Sequence, residues 1–279
     1  MVSTDWLQAN LEADQLVVID VRRTADYELD HIPDAVSEPF GAVGSAWVTQ
    51  HDDLLLEVPE SADLFATIGA LGISTDSWVV IVTGVNPEEP EAYGLAAATR
   101  VADTLIYAGV TDVAILDGGH AKWVANGLPT TVEEPAVTPV TYDGTVNDSM
   151  FVSAEYVQSR IGRAVILDAR DPEVYFGAAE DQFADKLGHI PSARSLPAPW
   201  LWYAEDNTYA DSKTLSAMVS DVVGPWKNQE IIVYCSVGGY ASSWWFVLSQ
   251  MLGYKNVRFY DGSAEEWVRD REMVAYRWY

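Results

Sequence analysis

Cysteine is almost absent from this chain: Cys235 is the only one in 279 residues. A single thiol can form no intramolecular disulfide and excludes a cysteine-cluster metal site. Histidine is scarce too, and His31, His51, His120 and His189 show no metal-ligand spacing such as H-x-x-x-H. Neither a metal nor a cofactor is expected. Positive charge is also in short supply: 16 Lys and Arg stand against 42 Asp and Glu, a formal net charge of -26. That balance argues against nucleic acid as a partner. The acids are spread along the chain rather than massed in a tail, as suits solubility. No apolar run nears the roughly 20 residues that cross a bilayer. Met1-Val2-Ser3-Thr4-Asp5-Trp6 lacks the basic-then-apolar opening of a signal peptide. No membrane is expected, and the expected compartment is the cytoplasm, although a mature exported form behind a new Met would begin the same way.

Apolar residues are plentiful at 49%, with 11 Trp and 14 Tyr, enough for two domains with full cores. The chain is written twice. Leu16-Val17-Val18-Ile19-Asp20-Val21-Arg22 is echoed by Ala164-Val165-Ile166-Leu167-Asp168-Ala169-Arg170, each followed at the same distance by a tyrosine, Tyr27 and Tyr175. His31-Ile32-Pro33 returns as His189-Ile190-Pro191, and Leu116-Asp117-Gly118-Gly119 returns as Tyr260-Asp261-Gly262-Ser263, with Trp123 and Trp267 following. Three motifs kept in order indicate a duplicated domain whose loops have since drifted in length. The stretch 132–141, rich in prolines, β-branched residues and acids, reads as an extended linker. The expected organisation is a first domain over 1–132, a linker over 133–148 and a second domain over 149–279.

Short apolar runs alternate with helical patterns in each copy, which predicts an α/β fold: two domains, each a mostly parallel sheet with helices on both faces. In the second copy strands are expected near 165–168, 194–196, 231–235 and 257–260, and helices near 153–161, 213–223 and 240–252. The ligand crevice of such a sheet lies at the carboxyl ends of its strands. Cys235 stands at one, directly after Ile231-Ile232-Val233-Tyr234 and before Ser236-Val237-Gly238-Gly239-Tyr240-Ala241. A strand–loop–helix junction aims backbone N–H groups at one spot and adds the partial positive charge of a helix start. A thiol held there is expected to be favoured as thiolate. Gly238 and Gly239 suit a loop that needs positive φ.

These motifs, with G-H-I-P-S-A at 188–193 and Y-D-G-S-A-E-E-W at 260–267, resemble the rhodanese family of tandem-domain sulfurtransferases over nearly the whole chain. The resemblance implies two rhodanese-like domains, the second active and the first not. The first half is consistent with that. Thr83 occupies the slot of Cys235, and the longer loop after it carries Asn86-Pro87-Glu88-Glu89-Pro90-Glu91, where prolines remove N–H donors and carboxylates oppose an anion. The first domain then reads as a structural partner, closing one wall of the site. The implied chemistry is transfer of a sulfane sulfur from thiosulfate or 3-mercaptopyruvate through a Cys235 persulfide. The acceptor is thiophilic: cyanide in assays, or a thiol or thioredoxin-like dithiol.

The resemblance implies Cys235 as the catalytic residue and a substrate cradle of Ser236, Val237, Gly238, Gly239, Tyr240 and Ala241. Asp168 and Arg170 match a family pair near the cysteine. They serve either the site or the sheet end, because Asp20 and Arg22 occupy the same places in the half without a cysteine. His189 is matched by His31 and reads as structural. Thiosulfate-using members carry cations in the loop after cysteine, and many carry a second arginine where Val174 stands here. This loop has no charge, leaving Arg194 or Lys186 to supply it, and both donors stay open. A phosphatase of similar fold would need C-x5-R, but position 241 is Ala. A non-catalytic sulfur-binding or scaffold protein is the alternative. Trp200, Trp202 and Tyr203 could wall the pocket or pack between domains, whereas Trp244 and Trp245 read as core.

Overall fold

The computed structural model describes residues 1–85 and 91–276. The insertion 86–91 lies outside them, apart from Glu91, which opens a helix. The first half contributes strands β1 (Leu16–Asp20), β2 (Ala35–Ser37), β3 (Thr49–His51), β4 (Leu54–Glu57), β5 (Trp78–Val82) and β6 (Asp112–Ile115). Its helices are α1 (Thr4–Asn10), α2 (Thr24–Leu29), α3 (Ser61–Ala70), α4 (Glu91–Tyr107) and α5 (Gly119–Ala125). The second half adds β7 (Val165–Asp168), β8 (Arg194–Ser195), β9 (Trp202–Tyr203), β10 (Thr208–Tyr209), β11 (Ile231–Tyr234) and β12 (Val257–Phe259). Its helices are α6 (Ala154–Arg160), α7 (Pro172–Phe176), α8 (Ser212–Val222), α9 (Gly239–Phe246) and α10 (Ser263–Trp267).

Two four-stranded sheets result, in the order β2-β1-β5-β6 and β8-β7-β11-β12. Every pairing within them is parallel. The strands expected in the second half are therefore all present, within a residue of the expected ends. Each copy opens the same way. Ser3 accepts from the Trp6 amide to cap α1, and Ser153 accepts from the Tyr156 amide to cap α6, satisfying donors that a helix start leaves open. The helix after the cysteine runs on as a π-helical turn over Val247–Met251.

The chain divides into two compact units, one of Met1–Thr49, Val58–Asp148 and Trp202–Tyr209, the other of Gln50–Glu57, Ser149–Leu201 and Ala210–Tyr279. Each unit thus includes a short two-stranded ribbon drawn from the other half of the sequence. In the first unit, the ribbon β9–β10 is held by Asp117, which accepts from the Tyr209 amide (2.8 Å), and by the Lys122–Asp206 ion pair. The expected linker contains no helix or strand, yet it is not loose. The Val140 amide donates to Gly69 O, the Tyr142 hydroxyl to Ala108 O and the Asn147 amide to Tyr107 O.

The repeated motifs carry the same packing in each unit. Tyr27 donates to Ala35 O and Tyr175 to Ala193 O, both at 2.8 Å. His31 stacks on Tyr27 and His189 on Tyr175, with centroids 3.7 and 4.0 Å apart. Trp123 and Trp267 are buried, their indole N–H groups donating to Pro129 O and Glu272 O. His189 also donates from Nδ1 to Tyr175 O, and burial pushes its pKa down. His31 makes the matching bond from Nδ1 to Tyr27 O. Trp244 and Trp245 lie in the core. Among the described residues no helix is long and apolar enough to cross a membrane.

Candidate active site

β11 is apolar at Ile231, Ile232 and Val233 because both faces of a central parallel strand are covered, and all four of its residues are buried. The chain leaves the sheet at Cys235, itself only 2% exposed. Gly238 then takes φ +88°, in the left-handed region, which turns the backbone back over the sulfur. An L side chain there would be strained. Gly239 begins α9 and is absent from the positive-φ positions. The expectation that both glycines supply left-handed backbone is therefore corrected to Gly238 alone.

The turn closes a cradle on Sγ. The Gly238 amide donates to it at 3.2 Å, and the amides of Val237 and Ala241 bond it as well. Ser236, Gly239 and Tyr240 lie in the same turn. The Ser236 carbonyl accepts from the Glu265 amide, and its hydroxyl turns to Asp181. The electrostatic outcome differs from the expected thiolate. Burial is the largest effect on Cys235 and raises its pKa; the three N–H groups lower it, and the Asp168 charge raises it again. The net direction is upward. Without a ligand, the cradle does not offset the loss of water around the sulfur.

Asp168 and Arg170 reach the site as a closed network rather than as free ligands. Arg170 donates from Nε to both carboxylate oxygens of Asp168 (2.9 and 3.2 Å) and from Nη2 to Oδ2 (2.6 Å). Nη2 also donates to Gly188 O and Nη1 to Asp181 Oδ2 (3.0 Å). The Tyr234 hydroxyl donates to Asp168 Oδ2 at 2.5 Å. Burial alone would lower the Arg170 pKa, but the flanking carboxylates hold it well above its ordinary value. Arg22 is bound in the same way to Asp20 and to Asp30 O, so bracing of the sheet end is common to both halves.

Arg194 and Lys186 make bonds elsewhere. Arg194 donates from Nη1 to Val222 O at the last residue of α8, where the partial negative charge of the helix end attracts a cation. Lys186 pairs with Glu272 and donates to Arg271 O. Arg194, expected to serve the substrate, is thus engaged at the end of α8 in this structure. Trp202 packs edge-on against Tyr209 within the first unit, while Trp200 and Tyr203 are exposed.

Three features went unrecognised in the sequence. Asp181 accepts from Ser236 Oγ (2.8 Å), Arg170 Nη1 and the Phe183 amide. Ser263 accepts from the Cys235 amide (3.1 Å) although it sits at φ +50°, where the first half has Gly119 at φ +57°. That exchange of Gly for Ser was the visible signal. Finally, the ribbon Gln50–Glu57 lies in the cysteine-bearing unit. The Leu55 amide donates to Glu265 and Asp52 O accepts from Arg269, which sets Leu56 beside Gly239.

A left-handed non-glycine residue costs on the order of 1–3 kcal/mol, and a buried N–H left without an acceptor costs about the same. Ser263→Gly should therefore change thermal stability little, while loosening the Cys235 backbone and changing the rate at which iodoacetamide alkylates the thiol. A denaturation midpoint moved by much more than that balance allows would contradict the assignment.

Comparison with known proteins gives a consistent picture. A family model described as "Rhodanese-like domain" matches residues 3–126 and again 153–270. The "Sulfur carrier protein TtuD" of Thermus thermophilus is 31% identical, over 96% of this chain and 93% of its own length. A protein of Saccharopolyspora erythraea named "Putative thiosulfate sulfurtransferase" is 31% identical over 96% of this chain and 92% of its own. Among solved structures, YnjE aligns with a TM-score of 0.80 at 23% identity, over 99% of this chain and 68% of that one. The wild-type EanB structure aligns with a TM-score of 0.80 at 20% identity, over 98% and 69%. These two show the shared fold.

Proposed function

The chain belongs to the rhodanese family, as a tandem of two rhodanese-like domains, and we propose that it is a sulfurtransferase working through a persulfide on Cys235. The observation that carries this reading is the convergence of the Val237, Gly238 and Ala241 amides on one buried sulfur at a strand end. In the matched slot of the first half, Thr83 donates its hydroxyl to Gly94 O instead.

The cycle has two steps. Cys235 gives up its proton to solvent base and attacks the sulfane sulfur of thiosulfate or 3-mercaptopyruvate. A new S–S bond forms as the donor's bond to that sulfur breaks, and the remainder leaves with the bonding pair. A thiophilic acceptor (cyanide in an assay, a thiol or a thioredoxin-like dithiol otherwise) then attacks the outer sulfur and returns the Cys235 thiolate. This is covalent catalysis with ping-pong kinetics. The cradle does its work on charged sulfur, as preorganised donors do wherever negative charge develops. Asp168 and Arg170 hold the floor of the site and act through the backbone they brace.

The test is direct. Wild-type protein should transfer sulfur to cyanide from at least one of the two donors, and Cys235→Ser should transfer none. Intact mass after donor treatment should rise by one sulfur atom in the wild type only. The relative named as a sulfur carrier favours a second reading, a carrier that loads once and passes its sulfur to a protein partner. It predicts the same adduct with no repeated turnover to small acceptors. Loss of the adduct itself would leave only a scaffold.

A further inference from the structure

The bonds around Arg170 answer a question of substrate charge that the family assignment leaves open. Among the described residues Arg170 is the cation bonded within the network beneath the cysteine loop, and it is held from both sides. Asp168 holds Nε and Nη2, and Asp181 holds Nη1. The guanidinium is 2% exposed and the two carboxylates 0% and 5%. One positive charge thus faces two negative ones in a buried setting, where salt screens little. Among the described residues, Arg22 in the first half bonds Asp20 and the Asp30 carbonyl; the Asp181 arm is what the second half adds. That arm also reaches the loop itself, because the same Oδ2 accepts from Ser236 Oγ, one residue after the thiol.

We infer that Asp181 is a specificity-determining residue: by adding a second negative charge at Arg170 beside the cysteine loop, it disfavours doubly charged sulfur donors relative to singly charged ones. The inference rests on the sulfurtransferase reading and deepens it. Asp181 acts through Arg170 and touches no substrate itself. With Asp181 in place, backbone amides alone receive the donor, and they offer partial charges suited to a monoanion such as 3-mercaptopyruvate. Thiosulfate brings a second negative charge toward a site whose nearest side chains already sum to a net negative charge. Removing one carboxylate while keeping its shape makes the cluster neutral and takes the carboxylate partner from Arg170 Nη1, so a second negative charge on the donor is opposed less.

Asp181→Asn is the variant to make, with Asp181→Ser as a second neutral variant should the first fold poorly. The ratio of kcat/KM for thiosulfate over 3-mercaptopyruvate should rise by about tenfold, mainly through a lower KM for thiosulfate, since tenfold is about 1.4 kcal/mol, a size that charges a few ångström apart reach even at the high effective dielectric of a protein surface. Asp181→Glu should keep the wild-type ratio. Ser236→Ala cuts the tether to the loop but leaves the charge, so it too should keep the ratio. A ratio unmoved in both neutral variants overturns the inference, as does an equal fall in kcat for both donors or a Ser236→Ala effect as large as that of Asp181→Asn. A second readout needs no turnover. Sulfate, an inert dianion, should protect Cys235 from iodoacetamide at about tenfold lower concentration in Asp181→Asn than in the wild type. If the wild type transfers no sulfur from either donor, the sulfurtransferase reading fails while sulfate protection still decides the role of Asp181.

Discussion

Alkylation of Cys235 by iodoacetamide should accelerate about tenfold per pH unit from pH 6.5 to pH 8.5, close to a hundredfold overall, with no plateau in that range. Thiolate is the reacting species, and below the pKa its fraction grows tenfold per unit. A free thiol, with a pKa near ~8.5, would already be bending over at the top of that window. Cys235 should not, because burial pushes its pKa upward against the pull of the Val237, Gly238 and Ala241 amides. The groups bearing on the sulfur also include the Asp168 carboxylate, which acts in the same direction as burial. The consequence for stability has a definite sign. An acid whose folded-state pKa is raised stabilises the fold fully below its ordinary pKa, and that contribution is lost as pH rises through the raised value. Mild alkali should therefore speed the chemistry and weaken the second unit together. A rate that levels off below pH 7.5 would mean the unloaded cysteine is already thiolate, and the balance drawn here between burial and cradle would be wrong.

That balance marks the limit of what could be read from residues alone. The repeat was legible because its motifs have structural jobs that each unit must fill: a tyrosine bonded to the strand after it, a stacked histidine, a buried tryptophan. The parallel sheets followed from short apolar runs, and Cys235 at the end of β11 followed from the run before it. The state of the thiol was not legible, because it depends on how much water the rest of the unit removes. Nor was the place of Arg194, since its partner is the carbonyl end of α8, far away in sequence. Asp181 stands in a loop with no periodicity, where nothing singles out one acid among 42 Asp and Glu. The ribbon Gln50–Glu57 was hidden for a related reason. β3 is exposed along its length, so no alternation of apolar and polar residues announced it. Ser263 alone left a trace, standing where the repeated motif has Gly119 in the first half.

Asp168→Ala should destabilise the second unit by about 3–5 kcal/mol, the range for removing one partner of a buried ion pair. The size follows from what stays behind. Arg170 is 2% exposed and cannot rehydrate, and it would keep only Asp181 and the Gly188 carbonyl. Tyr234, which is fully buried at the end of β11, would lose the acceptor for its hydroxyl while still receiving the Ile190 amide. The residue after Tyr234 is the cysteine, so the strain falls on the strand end that positions the sulfur. Asp168→Asn keeps the shape and an acceptor, and should recover a large part of the loss. Asp20→Ala, made in the half without a cysteine, should destabilise the first unit on the same grounds, because Arg22 is bound to Asp20 in the same fork. Urea unfolding followed by tryptophan fluorescence separates the two cases if the units melt apart, and a single two-state ΔG should not be fitted to the whole chain. Sulfur transfer per folded molecule should fall in Asp168→Ala and stay near wild type in Asp20→Ala. Equal losses of transfer in both would show that the Asp–Arg pair serves the fold alone and has no influence on Cys235.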